Sequence, residues 1–246
     1  MQVCVTRKNF NKDITFGVKS VISTILVFIM AFISIVFLIN MKKKNLIYEE
    51  QYFYFVYASS SKKVSVLDKQ KDYLKNLGGA SISYFYKDDF YLVANVYLNS
   101  ADGDEIKQNL LSHFQNAGIV TVKTNKISKS SQKKINENEQ VKKFLKYLYK
   151  YNRAFYELSM EYFMGKISDS EFISKIIKNN LVFEEYKTKI SDENELGSLA
   201  KDYAALMSLQ FSSFLNNFYL SSNKQNYVSA YYVGFVINYI EFYNSL

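Results

Sequence analysis

The chain has 246 residues, of which 48% are hydrophobic and 22% are charged, a composition typical of a folded protein rather than a disordered one. Its single His and single Cys exclude an intrachain disulfide, a His-based metal site and a Cys/His catalytic pair. No spacing of carboxylates indicates an enzyme, so we expect no catalytic residues, no metal and no cofactor. The abundance of Tyr, Phe and Lys with no Pro or Trp is typical of a genome poor in G and C.

The net charge of +8 is concentrated at the beginning of the chain. Residues 1–44 carry seven basic residues against one acidic residue. Residues 45–126 carry nine of each sign, and residues 127–246 carry fifteen basic against thirteen acidic. Only Arg7 and Arg153 are arginines, whereas the recognition of phosphates and bases relies on the arginine fork. The sequence therefore predicts no nucleic-acid partner.

A stretch of 20 residues at positions 20–39 contains no charged residue. As a helix it would cross the hydrocarbon core of a membrane, which is about 30 Å thick. A cleaved signal peptide is the competing interpretation, but the stretch is longer than usual for one and no small-residue cleavage pattern follows it. We expect a cytoplasmic tail at 1–18 and an uncleaved transmembrane anchor at 19–41. Four basic residues precede the uncharged stretch at 20–39 and three follow it, which favours an extracytoplasmic location for the rest of the chain.

Residues 51–126 show a β-α-β-β-α-β pattern. Runs of β-forming residues predict strands at 52–58, 80–86, 90–98 and 119–125, and apolar stripes at helical spacing predict helices at 62–77 and 104–117. A shift of 40 residues places Val66 on Ile106 and Gly78 on Gly118, so the two halves repeat. The pattern predicts a four-stranded antiparallel sheet with two helices on one face.

Two segments, YFVYASS at 54–60 and FYLVANVY at 90–97, resemble the characteristic strands of the SPOR domain, the sporulation-related repeat of bacterial division and sporulation proteins. The resemblance implies a SPOR-like domain at 51–126 that binds peptidoglycan glycan strands stripped of stem peptides and directs the protein to septa. The chain departs from the family where a Gln and a Gly of the first strand are replaced by Val56 and Ala58. The third strand also lacks the family's Arg, and only Ser59 matches the first-strand motif.

The second face of the predicted sheet is the candidate binding site. Since two helices cover only one face, alternate residues of the first and third strands should point to the other. Those residues are Tyr57, Ser59, Tyr91, Val93, Asn95 and Tyr97. Tyrosines suit the apolar faces and polar rims of sugars, but the same residues would equally suit packing against another domain or a partner.

The remainder of the chain is predicted to be helical. A polar linker at 126–134 precedes four amphipathic helices, which begin near 134, at Ser168, at Ser191 and at Ser222. The last helix contains an apolar stretch at 227–240, which is too short for a second membrane span and indicates a buried core helix. We therefore expect an all-α four-helix bundle at 134–246 and an α+β protein as a whole.

These observations predict a single-pass membrane protein of the bacterial envelope or septum that acts in cell division or sporulation. Its expected partners are the membrane, peptidoglycan glycan strands and septal proteins. The alternative is a structural subunit of a ring or channel in a secretion or sporulation complex, without glycan binding.

Overall fold

Four antiparallel strands form the sheet in the computed structural model, which describes residues 46–246. The strands are β1 (Tyr52–Ser61), β2 (Ile82–Tyr86), β3 (Asp89–Tyr97) and β4 (Gly118–Lys123), and the first two helices are α1 (Val64–Asn76) and α2 (Ser100–Leu111). The strand order is β2-β3-β1-β4 with every neighbouring pair antiparallel, so the predicted β-α-β-β-α-β sheet is confirmed.

The helix α2 begins and ends earlier than its predicted range of 104–117. Asn99 is its N-cap, and the Asn99 side chain accepts a hydrogen bond from the backbone N–H of Ala101 at 3.0 Å. Gly118 does not end this helix, as the repeat suggested, but begins β4 opposite Tyr57.

The core between the sheet and α1 and α2 contains residues from all of these elements. Val56 and Ala58 of β1 lie on this side together with Leu67 and Leu74 of α1 and Leu110 of α2. Burial of these apolar side chains is what holds the two helices to one face of the sheet.

The helical remainder contains five helices rather than four. They are α3 (Lys129–Glu137), α4 (Glu139–Phe163), α5 (Asp169–Lys189), α6 (Glu195–Phe218) and α7 (Lys224–Ser245). The predicted linker is wrong in part, because α3 begins inside it. The helix predicted from 134 onward is interrupted at Asn138, which has φ −108° and ψ 93° and caps α4 through a hydrogen bond from Val141 N–H.

Side-chain caps explain where the last three helices begin. Ser168 caps α5 as predicted, by accepting a hydrogen bond from Glu171 N–H. The helices α6 and α7 are capped by Asn194 and Asn223, and not by the serines expected at 191 and 222. Asparagine and serine are comparably good N-cap residues. In both helices the capping asparagine directly precedes the first helical residue, and the expected serine lies further from it.

Aromatic rings fill the interior of the helical region. The largest fully buried side chains there are Phe144, Phe155, Phe172, Phe183, Phe211, Phe214, Phe218, Tyr232, Tyr239 and Tyr243. Several of these rings contact one another edge to face or in tilted pairs, as aromatic quadrupoles favour.

The chain divides into two compact units, of which the second, Tyr48–Leu246, contains both the sheet and the helical region. The Tyr156 hydroxyl of α4 donates to the Asp102 carboxylate of α2 at 2.5 Å. The side chain of Asn226 in α7 donates to the carbonyl of Gly79. The expectation that 51–126 and 134–246 are separately folding domains stays a prediction.

The predicted cytoplasmic tail at 1–18 and anchor at 19–41 lie outside the described residues. Within residues 46–246, no helix combines the length and the apolarity that crossing a membrane requires.

Candidate ligand-binding surface

The helix α7 packs against the face of the sheet that lies opposite α1 and α2. The Phe53 ring on β1 meets the Tyr239 ring on α7 with centroids 5.8 Å apart. The Tyr239 hydroxyl also donates a hydrogen bond to the Gln51 side chain at 2.7 Å. The helix α7 therefore covers part of the second face, as in the alternative in which this face packs against another part of the chain.

Tyr57 and Tyr91 lie on this second face at the end of β1 away from Phe53. Their rings are 4.9 Å apart between centroids and inclined by 62°. The Tyr57 ring lies directly over Gly118 of β4, and a side chain at position 118 would overlap it. Both tyrosines are half-buried, so part of each residue stays accessible to solvent.

Two tyrosines of β2 extend this surface. Tyr84 is the direct cross-strand partner of Tyr91, which places the two side chains on the same face. The Tyr84 ring stacks on Phe55 with centroids 5.0 Å apart and on Tyr86 at 6.1 Å. We refer to the four half-buried residues Tyr57, Tyr84, Tyr86 and Tyr91 as the tyrosine surface.

The structure buries the other four residues of the predicted site, which are Ser59, Val93, Asn95 and Tyr97. Tyr97 is 2% exposed and belongs to the core beneath α1 and α2, on the face opposite the tyrosine surface. For Asn95 and Tyr97, the cause is a bulge in β3. Val56 pairs with Asn95 while Tyr57 pairs with Val93, so the alternation of side chains shifts by one residue between them.

A bulge in β1 accounts for Ser59 in the same way. Tyr57 pairs with Val93 and Ser59 pairs with Leu92, which leaves Ala58 as the extra residue.

As a binding set the six residues stay a prediction, and the structure brings together only Tyr57 and Tyr91 as an accessible pair. Sequence reasoning missed Tyr84 and Tyr86 because candidates were taken from the first and third strands alone. The same alternation applied to the second strand would have found them.

Burial disfavours ionisation of two hydroxyls of the tyrosine surface, those of Tyr84 and Tyr91. Burial raises the pKa of Tyr84 to about 12, and the nearby Glu241 carboxylate acts in the same direction. Burial also raises the pKa of Tyr91, with a smaller contribution from Asp89. Neutral phenols both donate and accept hydrogen bonds, so the surface can satisfy the hydroxyl groups of a ligand.

The charged groups that border the tyrosine surface are of both signs, and Glu241 near Tyr84 is one of them. The Lys87 ammonium lies 5.3 Å from the centroid of the Tyr86 ring, and Lys62 forms an ion pair with Asp89 at 3.0 Å. The surface therefore suits an uncharged ligand with apolar and hydroxyl-bearing faces better than a polyanion.

Metal binding has no cluster of ligand side chains to support it within residues 46–246. Within residues 46–246, no group of three or more His, Cys, Asp or Glu side chains is arranged to hold a metal ion. His113 lies exposed on the surface, where its Nδ1 forms a 2.9 Å hydrogen bond with the Tyr73 hydroxyl.

Comparison with known proteins gives no relative: no family model, no curated protein and no solved structure matches the chain. A functional conclusion therefore depends on the tyrosine surface and on the sequence.

Proposed function

We propose that the chain is a single-pass protein of the bacterial envelope and that its tyrosine surface binds the glycan strands of peptidoglycan at sites of septum or envelope assembly. The observation that carries this proposal is the accessible Tyr57–Tyr91 pair, extended by Tyr84 and Tyr86 on the neighbouring strand. The uncharged stretch at 20–39 supports the membrane anchor, and the SPOR-like strand segments support the ligand class.

A glycan strand offers apolar ring faces and hydroxyl or amide rims in alternation. Aromatic side chains stack on the apolar faces of the sugar rings, and phenol hydroxyls form hydrogen bonds with the hydroxyl and amide groups at their rims. The rings of the tyrosine surface are already held by Phe55, Gly118 and one another, so binding loses little side-chain entropy. The accessible area of the tyrosine surface is small, so we expect low affinity for a short glycan fragment. Higher apparent affinity is expected for a long glycan strand, which repeats the same binding unit.

The proposal is tested by cosedimentation of the full chain in detergent with isolated peptidoglycan, either intact or stripped of stem peptides by an amidase. We expect the wild-type chain to pellet with peptidoglycan, and more strongly with the stripped form. Combining Tyr57→Ala with Tyr91→Ala should lower the bound fraction about tenfold or more, because central aromatic residues carry most of the energy of such contacts.

The matched control is Tyr219→Ala, which removes a tyrosine that is 58% exposed at the end of α6, outside the tyrosine surface. Tyr219→Ala should pellet like the wild-type chain. If the wild-type chain stays in the supernatant with both forms of peptidoglycan, the proposal is wrong. If the double variant pellets as well as the wild-type chain, the glycan is bound elsewhere and the surface serves a protein partner or none.

A further inference from the structure

The strand β2 has an edge that no other element covers by backbone pairing. β2 is the terminal strand in the order β2-β3-β1-β4, and Ile82–Tyr86 pairs with β3 on one side only. Within the described residues, no backbone hydrogen bond from a loop or helix reaches this stretch from the other side. Alternate N–H and C=O groups therefore form an unpaired row along the edge.

This edge lacks three of the features that usually prevent strand pairing, namely charge, proline and a bulge. The sequence ISYFY contains no charged residue and no proline, and the register of β2 against β3 shows no bulge. Phe85 is 57% exposed on this strand. By contrast, the other edge strand, β4, ends in Lys123, which forms an ion pair with Glu50 at 2.8 Å.

We propose that the free edge of β2 pairs with β2 of a second copy of this chain. An antiparallel pairing centred on Tyr84 is the one register that pairs all five residues of both strands. It sets Ser83 of each copy opposite Phe85 of the other, so that a small side chain lies beside a large exposed ring. Because the strand is uncharged, the two-fold arrangement brings no like charges together.

Two tyrosine surfaces would then lie on the same face of one continuous eight-stranded sheet, since Tyr84 of both copies lies at the two-fold axis. A pair of five-residue strands buries less than the roughly 1,200 Å² of a standard stable interface, so the contact is expected to be transient in dilute solution. The proposal does not rest on glycan binding, and its test contains no glycan.

The test is register-specific disulfide formation in full chains that carry Cys4→Ser. Directly opposite residues in an antiparallel pair are about 4.5–5.5 Å apart between Cα atoms, within the range of a disulfide. Mild oxidation should give a disulfide-linked dimer of the Tyr84→Cys chain. A mixture of Ser83→Cys chains with Phe85→Cys chains should also give the mixed dimer, and in higher yield than either chain alone.

The matched control is Leu209→Cys, at a residue that is 69% exposed on α6. This chain should stay monomeric under the same conditions. Adding Phe85→Lys, at a residue that is 57% exposed, to the Tyr84→Cys chain should lower its dimer yield about tenfold, because lysine on an edge strand opposes pairing. The proposal is overturned if neither Tyr84→Cys nor the mixture gives dimers, or if Leu209→Cys gives as much dimer as they do.

Discussion

At the scale of single residues, Tyr91 and Tyr97 show what strict alternation along a strand misses. The two tyrosines are six residues apart on β3, and alternation predicts that they share a face. The bulge that separates the Val56–Asn95 pair from the Tyr57–Val93 pair places them on opposite faces. Nothing in the local composition of FYLVANVY marks this bulge, because it depends on how β1 and β3 pair.

The different environments of the two tyrosines predict different costs of substitution. Tyr97→Ala removes a core ring and should lower the free energy of unfolding by about 3–5 kcal/mol. Tyr91→Ala removes a half-buried ring that contacts Tyr57 and should cost clearly less, about 1–2 kcal/mol. Urea denaturation of both variants, followed by tyrosine fluorescence, measures the difference. Equal costs would mean that the two rings are equally buried and that the tyrosine surface is core.

At the scale of elements, the strands and the caps were predictable to different degrees. The strands and α1 follow from β-forming runs, helical stripes and the glycines near 78, of which Gly78 adopts φ +88°. The hairpin turn is also local, since Lys87 and Asp88 both adopt positive φ between β2 and β3. The break at Asn138 was not predictable, because residues 134–141 contain no Gly or Pro that would mark the end of a helix.

Asn138 fixes the beginning of α4, and its replacement should weaken that helix. Asn138→Ala removes the acceptor for Val141 N–H and should lower the free energy of unfolding by about 0.5–2 kcal/mol. The control is Asn109→Ala, an exposed position within α2, which should be neutral or slightly stabilising. Urea denaturation of the two variants distinguishes these outcomes. A neutral Asn138→Ala would show that α3 and α4 form one continuous helix in solution.

At the scale of the whole molecule, the contact of α7 with the sheet decides which part of the second face stays accessible. Sequence periodicity predicted α7 as a buried helix but not what buries it. The helix is apolar on several sides, since Val233, Phe235 and Val236 are at most 1% exposed although they lie at different angles around it, so no single stripe identifies its partner. Its sheet contact and its bundle contact are both long-range pairings, which a single sequence does not encode locally.

Buried tyrosines also make the whole unit sensitive to alkaline pH. Burial raises the pKa values of Tyr151, Tyr203 and Tyr232 well above their ordinary value of about 10. In the unfolded chain these phenols ionise near pH 10, while in the folded protein they stay protonated. Their contribution to stability is therefore complete below about pH 10 and is lost as the pH rises above it.

Tyr203→Phe isolates one of these groups. The Tyr203 hydroxyl is buried and has no hydrogen-bond partner among the described residues, so its removal leaves no group unsatisfied. The variant should be at least as stable as the wild-type chain at neutral pH and should unfold at a higher pH. Tyr219→Phe, on the surface, should match the wild-type chain. Unfolding is followed by circular dichroism during alkaline titration, and identical midpoints for all three proteins would contradict the buried position of Tyr203.

The central claim is that a ligand binds at the tyrosine surface, and hydrogen–deuterium exchange of the full chain with and without glycan fragments stripped of stem peptides tests it most directly. The account predicts that glycan slows exchange in the second half of β1, in β2 and in the first half of β3, where the four tyrosines lie. Exchange in α5 and α6 should not change. Protection confined to the helical region, or no protection anywhere at saturating glycan, would contradict the claim.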